Sequence, residues 1–120
     1  MTLTLAAMAT PVSTFDEAVV HLRPQADALR ELGVEHLATF GSVVRGEPRP
    51  DRDADVLVRY AEGSKSYERF LDLAELLEEV LGRPVELVTI ESLSPIRGPK
   101  ILAEARDVVR AARLRSAHPG

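Results

Sequence analysis

The sequence predicts a small α/β domain in which a short mixed sheet packs against helices. Three strand-like runs of apolar residues occur at 34–40, 53–60 and 84–89, each close to glycine, proline or charged residues. Apolar residues at helical spacing flank these runs, most clearly over Tyr67–Leu81. With 120 residues, 45% of them hydrophobic and few aromatic, the chain can build one core of Leu, Val, Ile and Ala.

The N-terminal helices are predicted from their end signals. Thr14 and Glu17 have the spacing of a capping box, which predicts that a helix begins at Phe15 and ends at Leu22. A proline at the first position then predicts a second helical piece over 24–32. Gly33 ends that piece. The chain therefore reaches its first strand through two short helices.

The middle of the chain alternates strands with short connections. After strand 34–40, a Gly-Ser turn leads into one helical turn at 43–45 and a loop rich in proline and charge at 46–52. The strand 53–60 follows. Its Val-Leu-Val run is apolar on both faces, which predicts a central strand.

The last third should add a helix, a strand and another helix. Ser66 is a suitable N-cap for the helix Tyr67–Leu81, and Gly82 is a suitable residue to end it. The third strand is predicted at 84–89. A final helix over 99–114 follows from apolar residues on one face.

Composition limits the class of protein. One domain is expected over 15–115, preceded by a variable segment at 1–14 and followed by a frayed tail at 116–120. The absence of cysteine fits a cytoplasmic location. No signal peptide or membrane-spanning helix is expected, because the apolar start is short and lacks a basic region. The net charge of −4 argues against direct binding of nucleic acid.

Three carboxylates suggest a metal site. Asp53 and Asp55 are two apart on a strand, so both side chains point to one face, where a divalent cation would relieve their repulsion. Taken alone, the pair also suits a charged loop that begins a strand. Glu86 lies in the apolar run VELV and could complete the cluster. Alternatively, Glu86 faces solvent while Val85 and Leu87 point inward.

The turn before the second strand suggests a phosphate site. Gly41 lets the backbone approach a phosphate, the Ser42 hydroxyl can donate to it, and Arg45 can pair with phosphate or with the carboxylates. An ordinary tight turn and a surface arginine explain the same residues. Arg49 and Arg52 are expected to be solvated loop charges.

The combination of Gly-Ser, ten residues, Asp-x-Asp and a later carboxylate resembles the minimal nucleotidyltransferases of the polymerase-β-like superfamily. LATFGSVVRGEPRPDRDADVLV and LGRPVELVT carry the resemblance. It implies that Gly41 and Ser42 bind the triphosphate of ATP, and Arg45, three residues on, is the further candidate for nucleotide binding from its own chemistry. The resemblance also implies that Asp53, Asp55 and Glu86 hold two Mg²⁺ ions and form the catalytic cluster. The third carboxylate is more usually Asp, and a small residue is frequent where this chain has Arg52.

Small members of this family resemble antitoxins that pair with HEPN-domain ribonuclease toxins. The resemblance implies an adenylyltransferase that transfers AMP to a tyrosine of the toxin, releases pyrophosphate and could form an oligomer with the toxin. The chain length leaves no room for the helical substrate domain of antibiotic-modifying relatives. Two alternatives stay open: a catalytically weak antitoxin that acts by binding alone, and a small-molecule nucleotidyltransferase of the aminoglycoside-modifying type.

Overall fold

The structure, a computed structural model, describes residues 12–46 and 53–110. In chain order the elements are α1 (Phe15–Leu22), a 3₁₀ turn (Arg23–Gln25), α2 (Ala26–Glu31), β1 (Val34–Phe40), α3 (Ser42–Arg45), β2 (Ala54–Tyr60), α4 (Tyr67–Leu81), β3 (Val85–Thr89), a second 3₁₀ turn (Ile90–Ser92), α5 (Gly98–Glu104) and β4 (Arg106–Arg110). Most of the predicted loop, with Arg49 and Arg52, lies outside the described residues. So do the predicted tail and most of the predicted N-terminal segment.

The four strands form one mixed sheet in the order β3-β2-β1-β4. Strand β2 runs parallel to β3, whereas β1 is antiparallel to both β2 and β4. The predicted mixed sheet is confirmed, and β2 does lie between two other strands. Within residues 12–46 and 53–110, the sheet has one strand more than the three that the sequence predicts.

The extra strand comes from the C-terminal segment, where the predicted helix over 99–114 is wrong. The helix α5 ends at Glu104, and Ala105 has extended backbone angles, with φ −64° and ψ 137°. Residues Arg106–Arg110 then pair with β1, and Val108 is buried. Pairing with the edge of β1 satisfies backbone groups of both strands, and β-branched valines favour the extended form.

The two faces of the sheet differ. Helices α1, α2 and α4 cover one face and enclose the main core, in which Leu37, Val56 and Val58 are fully buried. A smaller cluster on the opposite side contains Phe40 and Leu57 packed with Ile101 of α5. This second face is only partly covered, so polar side chains near its end can reach solvent.

The predicted N-caps of α1 and α4 are confirmed by hydrogen bonds. The Thr14 hydroxyl accepts from the N–H of Glu17 at 3.2 Å, and both halves of the capping box are present. Ser66 caps α4 by accepting from the Arg69 N–H at 3.1 Å. Over the residues that the structure describes, no helix has the length and apolar character to cross a bilayer.

Candidate functional site

The site begins at Asp55, near the start of the central strand β2. In the sheet, Asp55 lies opposite Phe40 of β1 on one side and Glu86 of β3 on the other. Side chains in facing positions of neighbouring strands point to the same face. The sheet therefore brings together two of the three carboxylates that the sequence singled out, from positions thirty-one residues apart in the chain.

Glu86 is exposed, although it lies within an apolar run. Val85 and Leu87 pack against the main core, while Glu86 points to the partly covered face. The alternation of a half-buried strand explains this arrangement. Of the two alternatives for Glu86, the structure shows the one in which it faces solvent while Val85 and Leu87 point inward. Glu86 nevertheless lies beside Asp55, where the metal-site hypothesis requires it.

Burial and the neighbouring acids change the pKa of Asp55. The pKa of the Asp55 carboxyl is raised from its usual 3.8 to about 6. Partial burial is the largest cause, a hydrogen bond to Glu86 and the negative charges of Glu86 and Asp53 also raise it, and Arg45 lowers it. Near neutral pH the three carboxylates concentrate negative charge on one small area.

The side chains around Asp55 include oxygen donors of the kind that a metal site uses. Within residues 12–46 and 53–110, no group of three or more His, Asp or Glu side chains is arranged to hold a metal ion. Asp53 is exposed and precedes β2, so its side chain is held less firmly than that of Asp55. Carboxylate oxygens are nevertheless the donors that Mg²⁺ prefers, and like charges held together at Asp55 and Glu86 favour a cation.

Gly41 links β1 to α3 and lies against Asp55. Its φ of +72° is a left-handed value that residues with a side chain rarely adopt. A Cβ atom at this position would collide with the Asp55 carboxylate, first with Oδ2. The turn therefore requires glycine twice, once for its backbone angle and once for its contact with the acidic pair.

Ser42 is buried beneath this turn and contacts Arg83, a residue that sequence reasoning missed. Arg83 is 3% exposed. Its Nη1 donates to the Val12 carbonyl at 2.7 Å, and its Nη2 donates to Ser42 Oγ at 3.4 Å. A buried guanidinium thus lies behind the serine. No periodicity in the sequence distinguishes Arg83 from a surface charge in the loop after α4.

Arg45 and Gly41 share a carboxylate that the sequence analysis also missed. Glu104, the last residue of α5, accepts from the Gly41 N–H at 3.0 Å through Oε1. Its Oε2 accepts from Arg45 Nη1 at 2.6 Å. An acid in the last turn of a helix opposes the helix dipole, and the Arg45 guanidinium offsets this cost. The sequence did not indicate the contact, because the predicted helix over 99–114 places Glu104 in its interior.

A cavity of about 170 Å³ opens beside Glu86. Its walls are formed by four apolar residues, Phe40, Val88, Leu93 and Ile101, and by four polar residues, Glu86, Ser92, Ser94 and Arg97. The cavity can therefore receive a small group that has both an apolar part and a polar part, next to the carboxylate pair.

Comparison with known proteins gives the family. The model of the nucleotidyltransferase domain matches residues 22–110. The protein adenylyltransferase MntA of Thermococcus cleftensis is 39% identical over 92 residues, which cover 76% of this chain and 92% of that protein. Both comparisons span the strands and turns that form the site.

Solved structures agree on the fold. A structure assigned as a minimal nucleotidyltransferase has 34% identity and a TM-score of 0.61, and the match covers 73% of this chain and 93% of that one. A chain from the complex of the tri-AMPylated HEPN toxin of Shewanella oneidensis with MNT antitoxin has 18% identity and a TM-score of 0.57. That match covers 83% of this chain and 78% of that chain.

Proposed function

Because the chain belongs to the nucleotidyltransferase domain family, we propose that it transfers AMP from ATP to a hydroxyl group of a partner protein. The observation that carries the proposal is the position of the Asp55 carboxylate, which has Gly41 on one side and Glu86 on the other. An acidic pair that can attract metal thus lies directly against a turn that can bind phosphate. Nucleotidyl transfer needs both features together.

Asp53, Asp55 and Glu86 are proposed to hold Mg²⁺, with two ions as the expected number. When bound, Mg²⁺ neutralises phosphate charge and stabilises the attacking and leaving oxygens. The crowded charges that raise the pKa of Asp55 supply the attraction for the cation. Asp53, which is exposed, has the freedom to turn towards the pair.

Gly41, Ser42 and Arg45 are proposed to bind the triphosphate. The Gly41 N–H and the Arg45 guanidinium already donate to an oxyanion in this structure, the carboxylate of Glu104. Because Ser42 Oγ accepts from Arg83, its own proton remains available to a phosphate oxygen. The buried charge of Arg83 also favours an anion at the turn.

The reaction is a displacement at the α-phosphorus of ATP. The acceptor oxygen forms a bond to that phosphorus while the bond to the bridging oxygen breaks, and pyrophosphate leaves with the electron pair. The proton of the acceptor hydroxyl passes to Glu86, the exposed carboxylate of the pair. Since Glu86 is one methylene longer than Asp, its oxygens reach further from β3 towards an acceptor.

The acceptor is proposed to be a tyrosine of a HEPN-domain toxin, which makes the chain an antitoxin. Relatives of the chain are named protein adenylyltransferases, and one structure with the same fold comes from a complex with an AMPylated HEPN toxin. The cavity beside Glu86, with Phe40 and Ile101 in its wall, suits an aromatic ring whose hydroxyl points to the carboxylates. Location in the cytoplasm, where such a toxin would act, stays a prediction.

The test is the intact mass of the partner. A HEPN-domain toxin offered as the partner would be incubated with the chain, ATP and Mg²⁺. We expect the partner to gain the mass of one or more AMP groups and to lose its toxicity. The variant Asp53→Ala, Asp55→Ala should add no AMP, whereas Asp72→Ala, Glu75→Ala, which removes two exposed acids of α4, should behave as wild type.

The same experiment separates catalysis from binding. If the Asp53→Ala, Asp55→Ala variant still neutralises the toxin in a stable complex, the chain acts by masking its partner and the adenylyltransferase proposal is wrong. Transfer of AMP to a small molecule in the absence of any partner protein would favour an enzyme of the aminoglycoside-modifying type.

A further inference from the structure

Glu104 binds the donors that the proposed triphosphate site would use. Its two carboxylate oxygens accept from separate groups, Oε1 from the Gly41 N–H at 3.0 Å and Oε2 from Arg45 Nη1 at 2.6 Å. Carboxylate and phosphate oxygens compete for such donors because both are anionic acceptors. The single N–H of Gly41 cannot make the same hydrogen bond to Glu104 and to a phosphate group at once, and Glu104 also takes up one end of the Arg45 guanidinium.

We infer that Glu104 is an internal competitor of the nucleotide, which a triphosphate displaces from Gly41 and Arg45 when it binds. The inference rests on the proposed function, since it concerns the same turn. It goes beyond that function by assigning a role to a residue of α5, 63 positions along the chain from Gly41. Glu104 would lower the affinity for nucleotide and link nucleotide binding to the end of α5.

Glu104 lies between α5 and β4, so its hydrogen bonds connect these two elements with the Gly41 turn. The residue ends α5, and the chain turns extended at Ala105 before β4 pairs with the edge of β1. Its carboxylate therefore ties the start of β4 to the turn that follows β1. When a triphosphate takes both donors, this tie is released while the pairing between β1 and β4 remains.

The expected change in nucleotide affinity is small, because the ion pair between Arg45 and Glu104 is partly exposed to solvent. The side chains of Arg45 and Glu104 are 51% and 28% exposed, so solvent screens their attraction. An ion pair of this kind is worth little, and its loss should raise nucleotide affinity only about two- to fivefold. The dependence on Arg45 is the informative part, because removal of any negative charge near the turn raises the affinity for an anion, whereas release of Arg45 adds to affinity only when Arg45 is present.

The experiment is equilibrium binding by calorimetry with AMP-PNP and Mg²⁺, and separately with tripolyphosphate. Glu104→Gln and Glu104→Ala should bind both probes about two- to fivefold more tightly than wild type. Glu75→Gln makes the same change of charge on an exposed position of α4, on the opposite side of the sheet, and should bind as wild type. In an Arg45→Ala background the gain from Glu104→Gln should shrink, because one of the contested donors is gone.

The outcomes separate this inference from the proposed function. Wild-type binding of AMP-PNP with unchanged or weaker binding by both Glu104 variants would overturn the inference and leave the proposed function standing. Tighter binding of tripolyphosphate by the variants, without any binding of AMP-PNP, would support displacement and contradict the nucleotide site. If neither probe binds wild type or variants, both proposals fail.

Discussion

Asp55 and Glu86 face each other across the parallel strands β2 and β3, with both carboxylates on the partly covered face of the sheet. The pair is a consequence of register, because a shift of β3 by one residue would turn Glu86 towards the main core. Gly41 contacts the same aspartate from the β1 side. The strands β2 and β3 and the turn after β1 thus meet at the Asp55 carboxyl group. The pKa of Asp55 therefore depends on all three segments.

Glu86 should control the ionisation of Asp55. In Glu86→Gln the negative charge is lost, so the pKa of Asp55 should fall from about 6 towards 3.8, although burial keeps it from reaching that value. The pKa is measured by a ¹³C NMR titration of the Asp55 carboxyl group in metal-free protein. Glu91→Gln, at an exposed position just after β3, is the control and should leave this pKa unchanged. A pKa that stays near 6 in Glu86→Gln would contradict the coupling.

The raised pKa of Asp55 should lower stability at neutral pH. The folded state holds the Asp55 proton more tightly than the unfolded chain, so the resulting stabilisation is present below about pH 4 and is lost as the pH rises through about 6. Asp55→Asn should therefore raise the free energy of unfolding at pH 7.5 by about 1 kcal/mol, a modest gain because solvent screens a half-buried group.

Urea denaturation of metal-free protein at two pH values checks this sign. At pH 4 the variant and wild type should differ little, because Asp55 is then neutral in the folded state. Nucleotidyl transfer should be lost in Asp55→Asn at any pH. A variant that is less stable than wild type at pH 7.5 would show that the Asp55 carboxylate stabilises the fold.

Gly41→Ala should be far more damaging than the same change at Gly63. Both glycines have left-handed backbone angles, with φ +72° and +79°, so alanine should cost each about 1–2 kcal/mol. Only at Gly41 does the new Cβ collide with Asp55, while nothing lies within 4 Å of it at Gly63. We expect a further loss of about 2 kcal/mol and loss of nucleotide binding at Gly41 alone. Equal stability of the two variants would contradict the close contact.

The sequence predicts the part of the site that depends on local pattern. The strand 34–40, the Gly-Ser turn, the helical turn of α3 and the start of β2 lie close together in the sequence, and each has its own signal in turn residues or in apolar pattern. The helix Tyr67–Leu81 likewise has its cap and its C-terminal glycine in the sequence. Contacts within this stretch, such as that of Gly41 with Asp55, follow once the strands are placed.

The features that the sequence did not predict depend on contacts between segments that are distant in the chain. Residues Arg106–Arg110 become a strand because the edge of β1 is available, and two adjacent valines fit either a helix or a strand when taken alone. The predicted helix over 99–114 places Glu104 in its interior, whereas Glu104 is the last residue of the shorter helix α5. Its contacts with Gly41 and Arg45 were therefore not expected. Arg83 was missed for a related reason, since only the folded chain brings Val12 and Ser42 to its side chain.

Arg83→Met should weaken both the fold and the turn. Methionine fills most of the volume but leaves the Val12 carbonyl without this donor, which should lower the free energy of unfolding by about 2 kcal/mol. Loss of the buried charge behind Ser42 should also weaken AMP-PNP binding, as measured by calorimetry below the unfolding transition. Arg83→Lys keeps the charge and should recover part of the affinity. If Arg83→Met loses stability but binds AMP-PNP as wild type, Arg83 serves the fold alone.

The central claim is that the chain transfers the nucleotidyl group of ATP to a protein, with Asp53 and Asp55 as essential groups. The most direct measurement supplies the HEPN-domain partner, Mg²⁺ and either [α-³²P]ATP or [γ-³²P]ATP, and follows label on the partner. We expect label from the α-phosphate only, and none with Asp53→Ala, Asp55→Ala. Label from the γ-phosphate would show a kinase-type transfer, and no label from either substrate would show that the chain does not modify this partner.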